Sequence, residues 1–315
     1  MKDTFKNDIN SGLSADPKSL PSKYFYNKIG DALFVKIMKL PEYYLTQAEF
    51  DIFKNQTQEI IQALNISPNT YFELIELGAG DGTKTKELLK VLSHKKFQFE
   101  YVPIDISLNA LEQLETNLSE ELPDIKVTKK QGDYFNVLEG LKNSHHPKVV
   151  LFLGSNIGNL SDTEAETFIS NLSDSLNIND KVLLGVDLIK PEHIVLPAYN
   201  DKAGVTKAFN FNLLNRINSE LEANFNLDYF SHAPEYSENT GIAKSYIVSD
   251  RNQNVTIGAL NKTFEFNAGE KIHTETSRKY NDAVLASILK NSQLSITAKL
   301  LDSNKYFADY ILEKS

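Results

Sequence analysis

The chain has 315 residues, 41% of them hydrophobic and 24% charged, with 33 Lys and Arg against 42 Asp and Glu for a formal net charge of −9. That composition is globular, so disorder is not expected, and an acidic excess without a dense Lys/Arg cluster argues against a nucleic-acid surface built on phosphate neutralisation. The chain holds no cysteine, which excludes disulfides and thiolate metal sites and gives no sign of an oxidising compartment.

In chain order, residues 1 to about 20 are rich in Asn, Ser, Lys and Asp, lack the apolar stretch of a signal peptide, and are expected to fray. Nowhere do the roughly 18 apolar residues of a membrane span run together, so a cytoplasmic protein without membrane contact is expected. Asp31 to Met38 places Leu33, Phe34, Ile37 and Met38 on one helical face before Pro41 breaks the pattern. Thr46-Gln47-Ala48-Glu49 reads as a capping box opening a helix with Phe50, Phe53, Ile60, Ile61 and Leu64 as its apolar stripe, closed by Pro68.

From Tyr71 the period changes. Runs of strand length (71–77, 97–104, 125–128, 149–154 and 182–186) alternate with amphipathic segments (83–92, 108–118 and 163–176), the last opened by a capping box at Ser161 to Glu164. Parallel neighbours need helical crossovers, so the pattern predicts a parallel sheet covered on both faces. After Asp187 the alternation stops: 204–221 reads as a helix and 244–266 as strands. Residues 294–300 and 306–312 around Asp302-Ser303-Asn304 read as a closing antiparallel hairpin. The pattern alone gives an α/β fold with an extra domain; the hairpin on a parallel sheet is a feature of Rossmann-like methyltransferases.

Glu76-Leu77-Gly78-Ala79-Gly80-Asp81-Gly82 follows the first strand directly and precedes a helix. Glycines there allow a tight turn and close approach of a ligand to the backbone. A dinucleotide fingerprint would require glycine at position 83, which is Thr83, with Gly82 one place early; G-x-G-x-G with a leading acid looks instead like an S-adenosylmethionine motif. The helix start at Thr83, Lys84 and Thr85 suits the cofactor's carboxylate. Asp105, 23 residues past Gly82 at the end of the second strand, is placed to accept the ribose hydroxyls. Gly132-Asp133-Tyr134 follows the third strand: Asp133, otherwise readable as a loop acid, would take the adenine amino group and Tyr134 its face.

Several separated segments then resemble the histidine-specific α-N-methyltransferases of the ergothioneine pathway: Leu40 to Tyr44, the glycine motif, Phe152 to Leu160, Ala198 to Thr206, and Thr274 to Ser277. The resemblance runs from about residue 20 to the end. It implies a cofactor domain (61–189 and 287–315) and a smaller α+β substrate domain (20–60 and 190–286), with S-adenosylmethionine converted to S-adenosylhomocysteine. It also implies that Asn159 and Tyr199 hold the substrate carboxylate, that the amine lies near Gly154 and Tyr26, and that the imidazole meets Tyr43, Glu275 and Ser277. An amide and a phenol satisfy a carboxylate without adding a charge, and a glycine leaves room for accumulating methyl groups. From the residues alone, Tyr43 and Tyr199 read as core or interface tyrosines and Glu275 as an exposed acid. One position departs from the resemblance: Ser245 stands where the family places a methionine against the imidazole.

The six histidines show no metal-ligand spacing and are read as surface or structural, so no metal is expected. Neither a nucleophile elbow nor a phosphate loop occurs, which leaves hydrolase and kinase readings without support. The expected protein is therefore a monomeric amino-acid N-methyltransferase acting on L-histidine; the alternatives are the same chemistry on a tryptophan derivative, or a non-catalytic S-adenosylmethionine-binding protein.

Overall fold

The computed structural model describes residues 2–132, 140, 142 and 144–315. It divides the chain into two units, one of residues 1–44 and 190–277 and the other of residues 45–189 and 278–315.

The second unit carries the long sheet. β1 (Phe72–Leu77), β2 (Phe99–Asp105), β5 (Lys148–Phe152) and β6 (Lys181–Asp187) are parallel, joined by two short edge strands, β3 (Lys126–Val127) and β4 (Lys130–Gln131), and closed by the antiparallel hairpin β13 (Leu294–Leu301) and β14 (Phe307–Lys314). The order is β13-β14-β6-β5-β1-β2-β3, with β4 also on β2. This is the Rossmann-like sheet and closing hairpin expected from the sequence. The central strands are nearly continuous apolar runs because helices cover both faces. One core gathers Val150, Phe152, Phe168 and Tyr310, the other Phe53, Leu74, Leu89 and Tyr101. Strand order reverses at β1, and in open α/β sheets the crevice at the carboxyl ends beside such a reversal is where ligands bind.

Helices α3 (Tyr44–Asn55) and α4 (Thr57–Leu64) show why the units meet at 44/45 and not at the expected 60/61. Ala48, Ile52, Phe53, Ile60 and Leu64 are buried in this unit's core. The expected capping box is absent as well: the helix begins at Tyr44, so Glu49 lies inside it and is buried, while Phe50 is half-exposed. On the other side, Tyr280 and α10 (Asp282–Leu289) pack into the sheet's core through Leu285 and Ile288, so that boundary lies at 277/278 and not at 286/287. The second capping box is as expected, with Ser161 and Glu164 exchanging hydrogen bonds at the start of α7 (Asp162–Asp174).

The first unit begins with α1 (Lys2–Ser14), which is ordered and not frayed. Phe5, Ile9 and Leu13 recur at helical spacing and are buried. At roughly 1.5–3 kcal/mol for each such side chain, burial is enough to hold a short polar helix in place. α2 (Lys28–Ile37) is capped by Asn27, whose side chain accepts the Ile29 and Gly30 N–H groups. α8 (Glu192–Tyr199) and α9 (Val205–Leu221) follow, then β7 (Phe230–His232), β8 (Glu235–Ser237), β9 (Ile242–Ser249) and β12 (Lys271–Arg278) in a four-stranded sheet, with β10 (Gln253–Ile257) and β11 (Lys262–Phe266) as a separate hairpin. The core of this unit is aromatic, with Phe5, Phe25, Phe209, Phe230 and Phe266.

Candidate active site

In the sheet unit, the turn after β1 is forced by backbone geometry. Gly78, Gly80 and Gly82 have φ of 73°, 55° and 67°, in the left-handed region that side chains rarely adopt. A Cβ on Gly80 would meet nothing within 4 Å, so the loop leaves an open cradle. Asp105, at the end of β2, closes the far side: Oδ2 accepts the Gly80 N–H at 3.0 Å and Oδ1 the Ser107 N–H at 2.8 Å. Part of its hydrogen-bonding capacity therefore fixes the glycine loop itself. Asp133 and Tyr134, the expected adenine residues, lie outside the described residues.

Beneath the loop, Glu76 is buried and accepts from Thr85 Oγ1 at 2.7 Å and from the Tyr101 hydroxyl. Burial pushes its carboxyl up to about 7, against the lowering effect of those two hydrogen bonds and of Lys84. Thr85 opens α5 (Thr85–His94), so this acid ties the strand to the start of the helix after the loop.

Lys84 does not project freely. Its ammonium pairs with Glu49, and both Glu49 oxygens accept the Gly154 N–H, at 2.8 and 3.0 Å. Burial opposes the charged lysine, but the charge and hydrogen bond of Glu49, helped by Glu76 and Asp309, hold its pKa above the ordinary value. Gly154 has φ of 72°, and a Cβ there would sit 3.5 Å from Lys84 Nζ. The next residue, Ser155, is also left-handed and its Oγ accepts the Asp187 N–H at 3.0 Å. The 3-10 turn that follows ends at Asn159, whose side chain is exposed. The structure thus brings Gly80, Gly82, Lys84, Asp105 and Gly154 to the carboxyl ends of neighbouring strands.

In the other unit, Tyr199 and Ser277 are both buried, and the tyrosine hydroxyl donates to Ser277 Oγ at 2.7 Å. Tyr26, Phe34, Tyr43 and Phe209 form a chain of edge-on and tilted rings with centroids 5.8–6.3 Å apart. Glu275 is half-buried on β12. Ser245 is fully buried and its hydroxyl has no hydrogen-bond partner among the described residues. Thr274 Oγ1 lies 2.7 Å from Asn210 Oδ1 and 3.0 Å from the Ser245 carbonyl, its one proton serving one acceptor at a time. His273 is structural: its backbone pairs with Lys18 and Leu20 and its ring meets Thr276 at 3.0 Å. Burial holds His232 down to about 4, which keeps it neutral at ordinary pH.

The sequence reading missed two residues of the sheet unit, Glu49 and Asp309, both 0% exposed. A signal existed for each: Glu49 falls on the apolar stripe with Ile52 and Phe53, and Asp309 interrupts the run Phe307 to Leu312 in a strand that bonds neighbours on both sides.

A doubly covered sheet whose first strand turns through an open glycine cradle, with an acid capping the second strand and a lysine over the glycine that follows β5, defines an S-adenosylmethionine-dependent methyltransferase. The chain belongs to the family of histidine-specific, S-adenosylmethionine-dependent methyltransferases, whose model matches residues 5–314. It is 35% identical over 295 residues to the histidine N-α-methyltransferase of Mycolicibacterium smegmatis, covering 94% of this chain and 90% of that protein. The Mycobacterium tuberculosis protein of the same name is also 35% identical, over 90% of this chain and 87% of its own length. Ergothioneine biosynthesis protein 1 of Schizosaccharomyces pombe is 27% identical over 94% of this chain, which spans 39% of that longer protein.

Proposed function

We propose that the protein methylates the α-amino nitrogen of L-histidine, towards trimethylhistidine in an ergothioneine pathway. The observation that carries this reading is the match to histidine N-α-methyltransferases over nearly the whole of both chains. Asn159 and Tyr199 take the α-carboxylate, Gly154 and Tyr26 border the amine, and Tyr43, Glu275 and Ser277 read the imidazole. The cradle at Gly78, Gly80 and Gly82, Lys84 and the Asp105 carboxylate would hold the cofactor, with Asp133 and Tyr134 at its adenine.

When bound, S-adenosylmethionine supplies a methyl group already activated by its sulfonium. The task left to the protein is to hold a neutral amine about 3 Å from that methyl in line with the breaking bond, which is a matter of positioning. Gly154 suits this role because it offers no side chain where methyl groups accumulate. Glu275 beside a ring N–H makes histidine distinguishable from other amino acids. A second reading, the same transfer to a larger ring such as an indole, draws on the small Ser245, whose buried hydroxyl has no hydrogen-bond partner among the described residues.

Incubation of the enzyme and S-adenosylmethionine with each of the twenty amino acids and with tryptophan derivatives, read by mass spectrometry, tests both. Mass gains of one to three methyl groups on histidine are expected; gains on an indole amino acid and none on histidine would favour the second reading, and no gain on any substrate would reject transfer. Monomeric state and a cytoplasmic location complete the proposal, to be checked by sedimentation and by cell fractionation. Among the described residues no helix is long and apolar enough to cross a membrane.

A further inference from the structure

Behind the lysine and glycine of the cofactor site lies a charge arrangement that the methyl transfer does not itself require. Asp309 on β14 stands opposite Gly185 on β6 in the antiparallel register. A Cβ on Gly185 would collide with Glu49 Oε1 and lie 3.0 Å from Asp309 Oδ1 and 3.1 Å from a ring carbon of Phe307. The space left by that missing side chain is therefore occupied by two carboxyl groups and the edge of the Phe307 ring. Both carboxyl residues are 0% exposed, and neither oxygen of Asp309 has a hydrogen-bond partner among the described residues. Two buried carboxylates facing one ammonium, one of them with no donor, would leave an uncompensated charge in a low-dielectric interior. The arrangement balances if Asp309 keeps its proton. Burial and the neighbouring Glu49 push Asp309 in that direction, well above the ordinary aspartate range, with Lys84 opposing.

We propose that Glu49 and Asp309 act together as a seat for Lys84: Glu49 holds the ammonium when no ligand is bound, and when Lys84 turns to the carboxylate of S-adenosylmethionine, the Asp309 hydroxyl turns to Glu49 in its place. No bond to hydrogen breaks; one donor replaces another on the same carboxylate. The lysine side chain is 21% exposed while its Glu49 partner is 0% exposed, so the movable member of the pair is the one that reaches the open side. Through the exchange Glu49 keeps the Gly154 N–H, and the glycine beside the amine stays fixed. Glu49 and Asp309 are thus positioning residues, acting through Lys84 and Gly154. The inference rests on the proposed role of Lys84 toward the cofactor carboxylate.

The test compares two ligands by calorimetry, S-adenosylhomocysteine, which carries the amino-acid carboxylate, and 5′-methylthioadenosine, which lacks it. Lys84→Ala should weaken the first about tenfold or more and leave the second unchanged; if it alters neither, or both equally, the proposed role of Lys84 is wrong. Asp309→Val should weaken S-adenosylhomocysteine about fivefold with methylthioadenosine unchanged, and Asp309→Asn, which restores a donor at the same point, should return within twofold of the native protein. If Lys84→Ala behaves as stated but Asp309→Val binds both ligands normally, the seat is wrong and the cofactor role of Lys84 stands. Native protein labelled with 13C at aspartate carboxyls, with Asp309 identified by comparison with Asp309→Asn, gives an answer even if the valine variant does not fold. Its Asp309 signal should be that of a neutral acid at pH 7 and should shift on adding S-adenosylhomocysteine but not methylthioadenosine. An ionised Asp309 in the ligand-free protein overturns the proposal.

Discussion

Replacing Glu76 by glutamine should make the protein more stable at alkaline pH and change little at acid pH. The carboxyl is 2% exposed and its pKa is raised from an ordinary 4.5 to about 7, with burial as the largest cause. A raised folded-state value means that the native protein retains a proton which the unfolded chain has already lost, so stability falls as pH rises from about 4.5 through 7. With 1.36 kcal/mol for each tenfold change, the native protein loses about 2.5 kcal/mol between pH 5 and pH 8 from this group alone. Glutamine keeps an acceptor for the Thr85 hydroxyl, 2.7 Å from Glu76 Oε1, and presents its amide N–H to the Tyr101 oxygen, which can rotate to accept. It does not titrate. The difference in stability between Glu76→Gln and the native protein should therefore move in the variant's favour by about 2.5 kcal/mol from pH 5 to pH 8, or roughly 5–10 °C in melting temperature for a unit of this size. His232, held neutral by burial, gives the native protein an opposite slope as pH falls, so the variant-minus-native difference is the quantity to measure. Thermal melts by circular dichroism at half-unit steps of pH supply it. A difference that does not change with pH, or that turns against the variant as pH rises, would refute a protonated Glu76.

Asp105→Ala should weaken S-adenosylmethionine by about 1–3 kcal/mol, and Asp105→Asn by less, since an amide oxygen still accepts the Gly80 N–H that lies 3.0 Å from Oδ2; calorimetry with unchanged affinity in a folded alanine variant removes Asp105 from the site. Glu275→Ala should lower kcat/KM for histidine far more than for phenylalanine or tryptophan, because polar ring recognition can discriminate by up to about 10⁴ and apolar fit by roughly 10–200-fold. Asn159→Ala and Tyr199→Phe should lower all three alike, the α-carboxylate being common; an equal loss across substrates in Glu275→Ala would make that residue structural. Phe5→Ala should cost about 3–5 kcal/mol, since the ring is 2% exposed and packs edge-on against Tyr24 at 4.6 Å; a cost near zero in denaturant titrations would mean that α1 contributes nothing to the unit.

The elements with a strong period were readable from the chain alone. The alternation of β1 to β6 with helices, the second capping box and the closing hairpin follow from spacing and apolar runs, because a half-buried helix and a buried strand impose different periods on their sequences. The glycine motif was equally legible, since positive φ at Gly78, Gly80 and Gly82 is a demand that few other residues meet. Local pattern failed where a residue's surroundings come from distant parts of the chain. Polar composition suggested a frayed N-terminus, yet Phe5, Ile9 and Leu13 find a core supplied by residues some two hundred positions later. Glu49 looked like a helix cap because its nearest sequence neighbours fit one. It is instead buried on Gly154 and Lys84, which come from other loops of the sheet unit. Asp309 gave no sign of its charge state until the missing Cβ of Gly185 placed it beside Glu49. Sequence fixes which groups can ionise or hydrogen-bond; whether they do depends on what desolvates and faces them, and packing alone decides that.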